Sequence, residues 1–204
     1  MIFSDNIINK AIFIIVILLG SLISFKQGSN FTDGDAFTVI LSFTNLLDFN
    51  DYFPSRNAYG HPIPELIIGY ISYNFGTPYS NVICYFAFVS SALILIKTFF
   101  RDKKYNQSII FLVIISNFVL LFDNLTSSDY QIAIFFFSLG LYYLFNKNYL
   151  VSSIFFALCI GSRANFALFI YPILGIYFLS SLNKHNILKF TKYCSILTFI
   201  GLIF

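Results

Sequence analysis

The first groups in this chain that can do chemistry are two carboxylates held one residue apart, Asp33 and Asp35, in the run Phe31-Thr32-Asp33-Gly34-Asp35-Ala36-Phe37. An ionised carboxylate at a surface can take the proton from an attacking hydroxyl or amine. Two of them at this spacing can also hold a divalent cation against a phosphate, because hard cations take oxygen ligands. A plainer use stands beside these: Asp35 has the position of a helix N-cap, and Asp33 can simply be solvated. The other charged or titratable candidates, Arg56, His61, Glu65, Asp129 and Arg163, are spread over most of the chain. Only long-range structure could bring them together.

The elements available to position them are apolar stretches without formal charge: Ala11–Phe25, Asn81–Ile96, Tyr105–Phe122, Tyr130–Asn146, Asn148–Ser162 and Ala164–Asn183, with a last run from Ile187. Each approaches the ~20 apolar residues that cross a hydrocarbon core of ~30 Å. Threaded alternately, they put Lys10, Lys97, Arg101, Lys103, Lys104, Lys147, Lys184, Lys189 and Lys192 on one side, and only Lys26, Arg56 and Arg163 on the other. An excess of Lys and Arg marks the cytoplasmic side. The acidic residues sort the opposite way, with Asp33, Asp35, Asp48, Asp51, Glu65, Asp123 and Asp129 outside. The expectation is an all-α, polytopic membrane protein of about seven transmembrane helices, multi-pass in a plasma or inner membrane, with its polar chemistry on the extracytoplasmic face.

Composition agrees with that class. The chain is 58% hydrophobic and 10% charged, with mean hydropathy +0.80, whereas soluble domains are about a quarter charged. The net charge of +3 comes from residues scattered over short turns and gives no sign of a nucleic-acid partner, so none is expected. Cys84, Cys159 and Cys194 sit within apolar segments and show neither zinc nor disulfide spacing, so they read as small hydrophobes. The first apolar stretch lacks an A-x-A site and reads as an uncleaved helix. Because the sequence stops within an apolar run, we expect residues 1–204 to be a single membrane domain, the truncated N-terminal module of a longer protein.

One long extramembrane segment remains, the first outer loop at residues 26–80. In Ala36–Leu47 the apolar residues Phe37, Ile40, Leu41, Phe43, Leu46 and Leu47 follow helical spacing. A second segment, Pro62–Phe75, is apolar but short. Counting it as a span would place Arg101-Asp102-Lys103-Lys104 outside, against the charge rule. Both segments are therefore expected as helices in or just above the outer interface.

This layout resembles the GT-C glycosyltransferases, multi-span enzymes that use polyprenyl-phosphate-linked sugars, such as protein O-mannosyltransferases and lipid A aminoarabinose transferases. The resemblance rests on the acidic pair after the first helix, on the segment "YGHPIPELIIGYISYNFG" leading to the second span, on Asp129 opening "TSSDYQIAIFFFSLGLYYL", and on "FFALCIGSRANFALFIYPIL" ending its small-residue stretch at Arg163. It implies that Asp33 or Asp35 is the catalytic base, Asp33 being the closer match and Asp35 standing next to the helix. The same two residues are the candidate ligands of a divalent cation. Arg56, His61 and Arg163 would bind the donor phosphate, His61 standing before Pro62 where some relatives have a Lys. Glu65 and Asp129 would support them, Asp129 by orienting a cation or by capping its span. The implied partners are a polyprenyl-phosphate-linked sugar and membrane lipid, and the implied reaction is inverting sugar transfer to an acceptor hydroxyl or amine. Two other classes stay open: an O-antigen or capsule polymerase, expected to carry its large loop between late spans, and a transporter or flippase subunit, expected to carry charges at the bilayer midplane.

Overall fold

The computed structural model of the chain describes residues 7–27, 34–51, 62–100, 110–111, 113–114, 129–180 and 184–201. Among the described residues there are eight α-helices, one 3-10 turn and no strand, so the all-α expectation holds. In chain order they are α1 (Ile7–Gln27), α2 (Gly34–Phe49), α3 (Pro62–Phe75), α4 (Thr77–Phe99), α5 (Asp129–Phe145), α6 (Tyr149–Ser162), the turn Ala164–Phe166, α7 (Ala167–Leu179) and α8 (Lys184–Gly201). The loop segment expected at Ala36–Leu47 is the body of α2, and Pro62–Phe75 is α3 itself. Pro62 and Pro64 occupy the first turn of α3, where the missing N–H groups have no helical partner to lose.

Side-chain contacts give the direction of each helix. α1 and α4 are antiparallel: Asn81 Nδ2 donates to the Ser24 carbonyl at 3.3 Å, and further along α4 the Tyr85 hydroxyl donates to the Val16 carbonyl at 3.2 Å. α4 and α5 run in the same sense, since Phe99 meets Phe145 and the Lys97 ammonium lies over the Tyr142 ring. Most of the expected span Tyr105–Phe122 lies outside the described residues. α6 returns antiparallel to α5, with Ser152 Oγ donating to the Gly140 carbonyl at 2.7 Å and Phe137 packed on Phe156. α7 is antiparallel to α6 through Tyr149 and Phe178, and α8 is parallel to α6 through the Tyr193 hydroxyl, which donates to Ser152 Oγ. Leu141, Leu144, Phe156, Ile170, Leu174 and Leu197 fill the core between these four helices.

α2 and α3 form a layer of their own. Phe43 packs against Tyr70 and Tyr73, and Tyr73 donates its hydroxyl to Asp48 Oδ1 at 3.1 Å. Val39 shares a buried cluster with Ile63 and Ile68. Advancing along one helix advances along the other, so the two run parallel. Their close approach depends on Gly69, where a Cβ would fall 2.3 Å from that of Phe43. The chain leaves α1 at Phe25 and enters α4 at Tyr79, whose rings are 5.4 Å apart. The whole α2–α3 excursion thus starts and finishes at one end of the bundle. Gly76, the single residue between α3 and α4, turns the chain with φ 94° and ψ 159°, a conformation closed to other residues.

Among the described residues one helix, α4, is long and apolar enough to cross a membrane, with 23 residues spanning about 35 Å at ~1.5 Å each. α5, α6 and α7 have 17, 14 and 13 residues. α6 is no longer than α3, so length does not separate an expected span from an expected interfacial helix. The reason α6 stops short is Arg163, which takes extended backbone at φ −154° and ψ 108° and sends the chain into the 3-10 turn.

Candidate functional site

Asp129 is the first residue of α5, and Arg163 directly follows α6. Because the two helices are antiparallel neighbours, these ends coincide. Arg163 Nη2 donates to Asp129 Oδ1 at 3.0 Å, and Nε lies 2.6 Å from Oδ2. The shorter approach lies off the N–H direction, so the Nε arm is an ion contact and the Nη2 arm is the directed hydrogen bond. Asp129 Oδ1 also accepts the Tyr130 backbone N–H at 3.1 Å. The Tyr130 ring covers the guanidinium, whose carbon is 3.4 Å from the ring centroid. The carboxylate sits at a helix N-terminus and the guanidinium at a helix C-terminus, so each charge also complements its own helix dipole. Asp129 is 2% and Arg163 7% exposed, so the pair faces the protein interior rather than solvent or lipid.

Glu65 adds a third buried charged residue, 2% exposed on the first turn of α3. Its neighbours Ile63 and Ile68 cluster with Ile132, one turn below Asp129, and with Leu158, one turn before Ser162. The N-terminal half of α3 therefore packs at the Asp129–Arg163 end of the bundle. The parallel packing of α2 brings Gly34 to that same end of the layer. The opposite ends of α2 and α3 are exposed at Phe49 and Phe75, while Ile63, Pro64 and Glu65 in the first turn of α3 are buried.

The sequence candidates are placed as follows. Asp129 and Arg163 are brought into contact. Asp35 lies in the first turn of α2, where the structure gives its backbone, and Glu65 lies in the first turn of α3. Asp33, Arg56 and His61 lie outside the described residues, although Asp33 adjoins α2 and His61 adjoins α3 in the sequence. A divalent cation on Asp33 and Asp35 has no described geometry to fit, and among the described residues no three His, Cys, Asp or Glu side chains gather. Tyr130 was not foreseen as a site residue. Its only signal was an aromatic ring adjacent to the one acidic residue that opens a span.

At the exposed end of the α2–α3 layer, the Asp48 carboxylate raises the Tyr73 phenol above its ordinary range, first by hydrogen bonding and then by its charge. No protein-family model matches the chain, and no curated protein and no solved structure matches it either.

Proposed function

We propose that the protein is an integral membrane glycosyltransferase of about seven spans, GT-C-like, that moves a sugar from a polyprenyl-phosphate donor to an acceptor on the extracytoplasmic face. The observation that carries this reading is the gathering of polar groups at one end of the helix bundle. The buried Asp129–Arg163 pair, the buried Glu65 and the N-terminal end of α3, with α2 parallel beside it, all lie there. Ionisable residues buried among apolar helices mark functional sites more often than structural ones. A helix N-terminus such as that of α3 favours a bound anion such as a phosphate.

In this mechanism Asp33 or Asp35 takes the proton from the acceptor hydroxyl or amine. The acceptor atom then forms its bond to the sugar C1 from the side opposite the phosphate. The C1–oxygen bond breaks, and its electron pair departs on the polyprenyl phosphate. Arg56, His61 and Arg163 meet that charge, and cations aimed at a leaving group stabilise the transition state more than the ground state. Arg163 engages Asp129 through Nε and Nη2, which leaves Nη1 for the phosphate, while Asp129 and Tyr130 hold the guanidinium plane in place.

The test uses the full chain in membranes with a photoreactive polyprenyl-phosphate analogue and a polyprenyl-phosphate-linked sugar. The double variant Asp33→Asn/Asp35→Asn should keep photolabelling and lose transfer by about 10²–10⁴-fold, the usual cost of a lost general base. Arg163→Ala should lower the labelling. Near-normal transfer by the double variant would make the loop carboxylates structural. The transporter reading would then take over, favoured by the same buried Glu65, Asp129 and Arg163. For sidedness, a cysteine at Asn50 should react with an impermeant reagent from outside, and one at Lys103 should not.

A further inference from the structure

Two sets of aromatic side chains sit at opposite ends of the bundle. At the first end, the Phe25 ring stands edge-on to Tyr79 at 5.4 Å, and Phe75 to Tyr79 at 6.4 Å, joining the last turn of α1, the end of α3 and the start of α4. At the second, Phe99 meets Phe145 at 5.7 Å and Phe145 meets Tyr177 at 5.7 Å, joining the ends of α4, α5 and α7. Phe25, Phe75, Tyr79, Phe99 and Phe145 are all exposed at their outer edges. Along α4, the residues from Tyr79 to Phe99 rise by about 30 Å, which is the thickness of a bilayer's hydrocarbon core.

The surface of α1, α4 and α7 between the two sets is largely apolar. Leu18 and Leu22 on α1 are 57% and 66% exposed, and Ile83 and Phe86 on α4 and Leu168 and Ile176 on α7 are exposed as well. The exposed charged side chains lie at the two levels or beyond them. Lys26 follows Phe25, Lys97 lies two residues before Phe99, Lys192 adjoins Tyr193 in the aromatic cluster of the second end, and Asp48 and Asp51 are on the outlying end of the α2–α3 layer. Glu65, Asp129 and Arg163 are buried.

We infer that these two aromatic girdles mark the two faces of a lipid bilayer's hydrocarbon core, with the Asp129–Arg163 pair just inside the first face. The inference rests on the membrane-protein reading above and adds depth to it. Tyrosine collects at both membrane interfaces, where an apolar ring carries a hydroxyl that meets the headgroups, and Tyr79 and Tyr177 stand at the two levels. Asp129 stands about 24 Å along α5 from Phe145, against about 30 Å between the girdles on α4, which sets the pair roughly 6 Å beneath the first face. At that depth the pair lies close beneath the headgroup layer, the level at which a lipid-borne molecule carries its phosphate.

The chain has no tryptophan, so single-Trp variants give clean depth probes. Phe25→Trp, Tyr79→Trp, Phe99→Trp and Phe145→Trp are conservative swaps at exposed girdle positions, and Leu18→Trp and Phe86→Trp report the middle of the slab. Each full-length variant is reconstituted in phosphatidylcholine brominated either near the glycerol end or near the methyl end of its acyl chains. Helix content is checked by circular dichroism. The girdle variants should show a ratio of shallow to deep quenching above one, and the two mid-slab variants a ratio below one. Quenching by both lipids with the same ratio at all six positions would overturn the girdles while leaving membrane insertion intact. Water-like emission without bromine quenching at any position would overturn the membrane reading itself.

Discussion

Arg163 donates Nη2–H to Asp129 Oδ1 at 3.0 Å across 34 positions of sequence, tying the end of α6 to the beginning of α5 beneath the Tyr130 ring. The contact closes one end of the bundle, and it does so with charges that have almost no access to water. Removing one partner strands the other. Asp129→Ala or Arg163→Ala should each destabilise the protein by about 3–5 kcal/mol, whereas the apolar double variant Asp129→Leu/Arg163→Leu should recover most of that loss. Unfolding of the purified protein in detergent, read as a double-mutant cycle, checks this. Additive losses in the double variant would show that the two residues act independently. Arg163→Lys should behave as a substantial loss too, because an ammonium reproduces neither the two-armed contact nor the stacking on Tyr130.

At the opposite end, Ser152 Oγ donates to the Gly140 carbonyl and accepts the Tyr193 hydroxyl, so one side chain links α5, α6 and α8. All of these groups are buried. Ser152→Ala leaves the phenol and the carbonyl without that partner, at an expected cost of about 1–3 kcal/mol. Adding Tyr193→Phe to the Ser152→Ala variant should cost much less than Tyr193→Phe alone. Equal costs in both backgrounds would mean that the chain of hydrogen bonds does not act as a unit.

Gly76 is the hinge between the α2–α3 layer and α4. Its backbone, at φ 94° and ψ 159°, admits glycine and penalises any side chain. Gly76→Ala should cost about 1–3 kcal/mol, although the Cβ itself meets nothing closer than Pro78 Cδ at 3.6 Å. The strain is thus conformational rather than steric crowding. Proteolysis within the α2–α3 layer should speed up in this variant more than cleavage of the bundle, and unchanged rates at both would contradict the hinge.

The Tyr73–Asp48 contact should depend on pH in one direction. The raised phenol pKa means that the protonated tyrosine is favoured in the folded layer. The stabilisation is therefore fully present below the ordinary phenol value and disappears as pH rises through the raised one. Ultraviolet difference titration of wild type against Tyr73→Phe isolates this ring, and Asp48→Asn should bring its titration back down. No change on Asp48→Asn would remove the hydrogen bond as the cause.

Much of this architecture could be read along the chain, because helices declare themselves locally. The 3.6-residue spacing in Ala36–Leu47, the short apolar segment Pro62–Phe75 and the uncharged apolar runs within the described residues reappear as helices with nearly the expected limits. Asp129 and Arg163 were also recognisable as charges at helix ends. What the linear sequence does not carry is partnership. Nothing in the neighbourhood of Arg163 distinguishes an anchor in the lipid headgroups from a guanidinium buried on a carboxylate 34 positions away, since that outcome depends on α5 and α6 packing antiparallel with these two ends level. The parallel course of α2 and α3 likewise depends on Gly69 admitting Phe43, a contact between helices joined by a long connection. The covering ring of Tyr130 and the Ser152–Tyr193 link belong to the same category. Local periodicity fixes which residues become helical and which face is apolar. The register of one helix against another comes from side-chain shape and from the need to pair every buried charge, and only the folded bundle decides it.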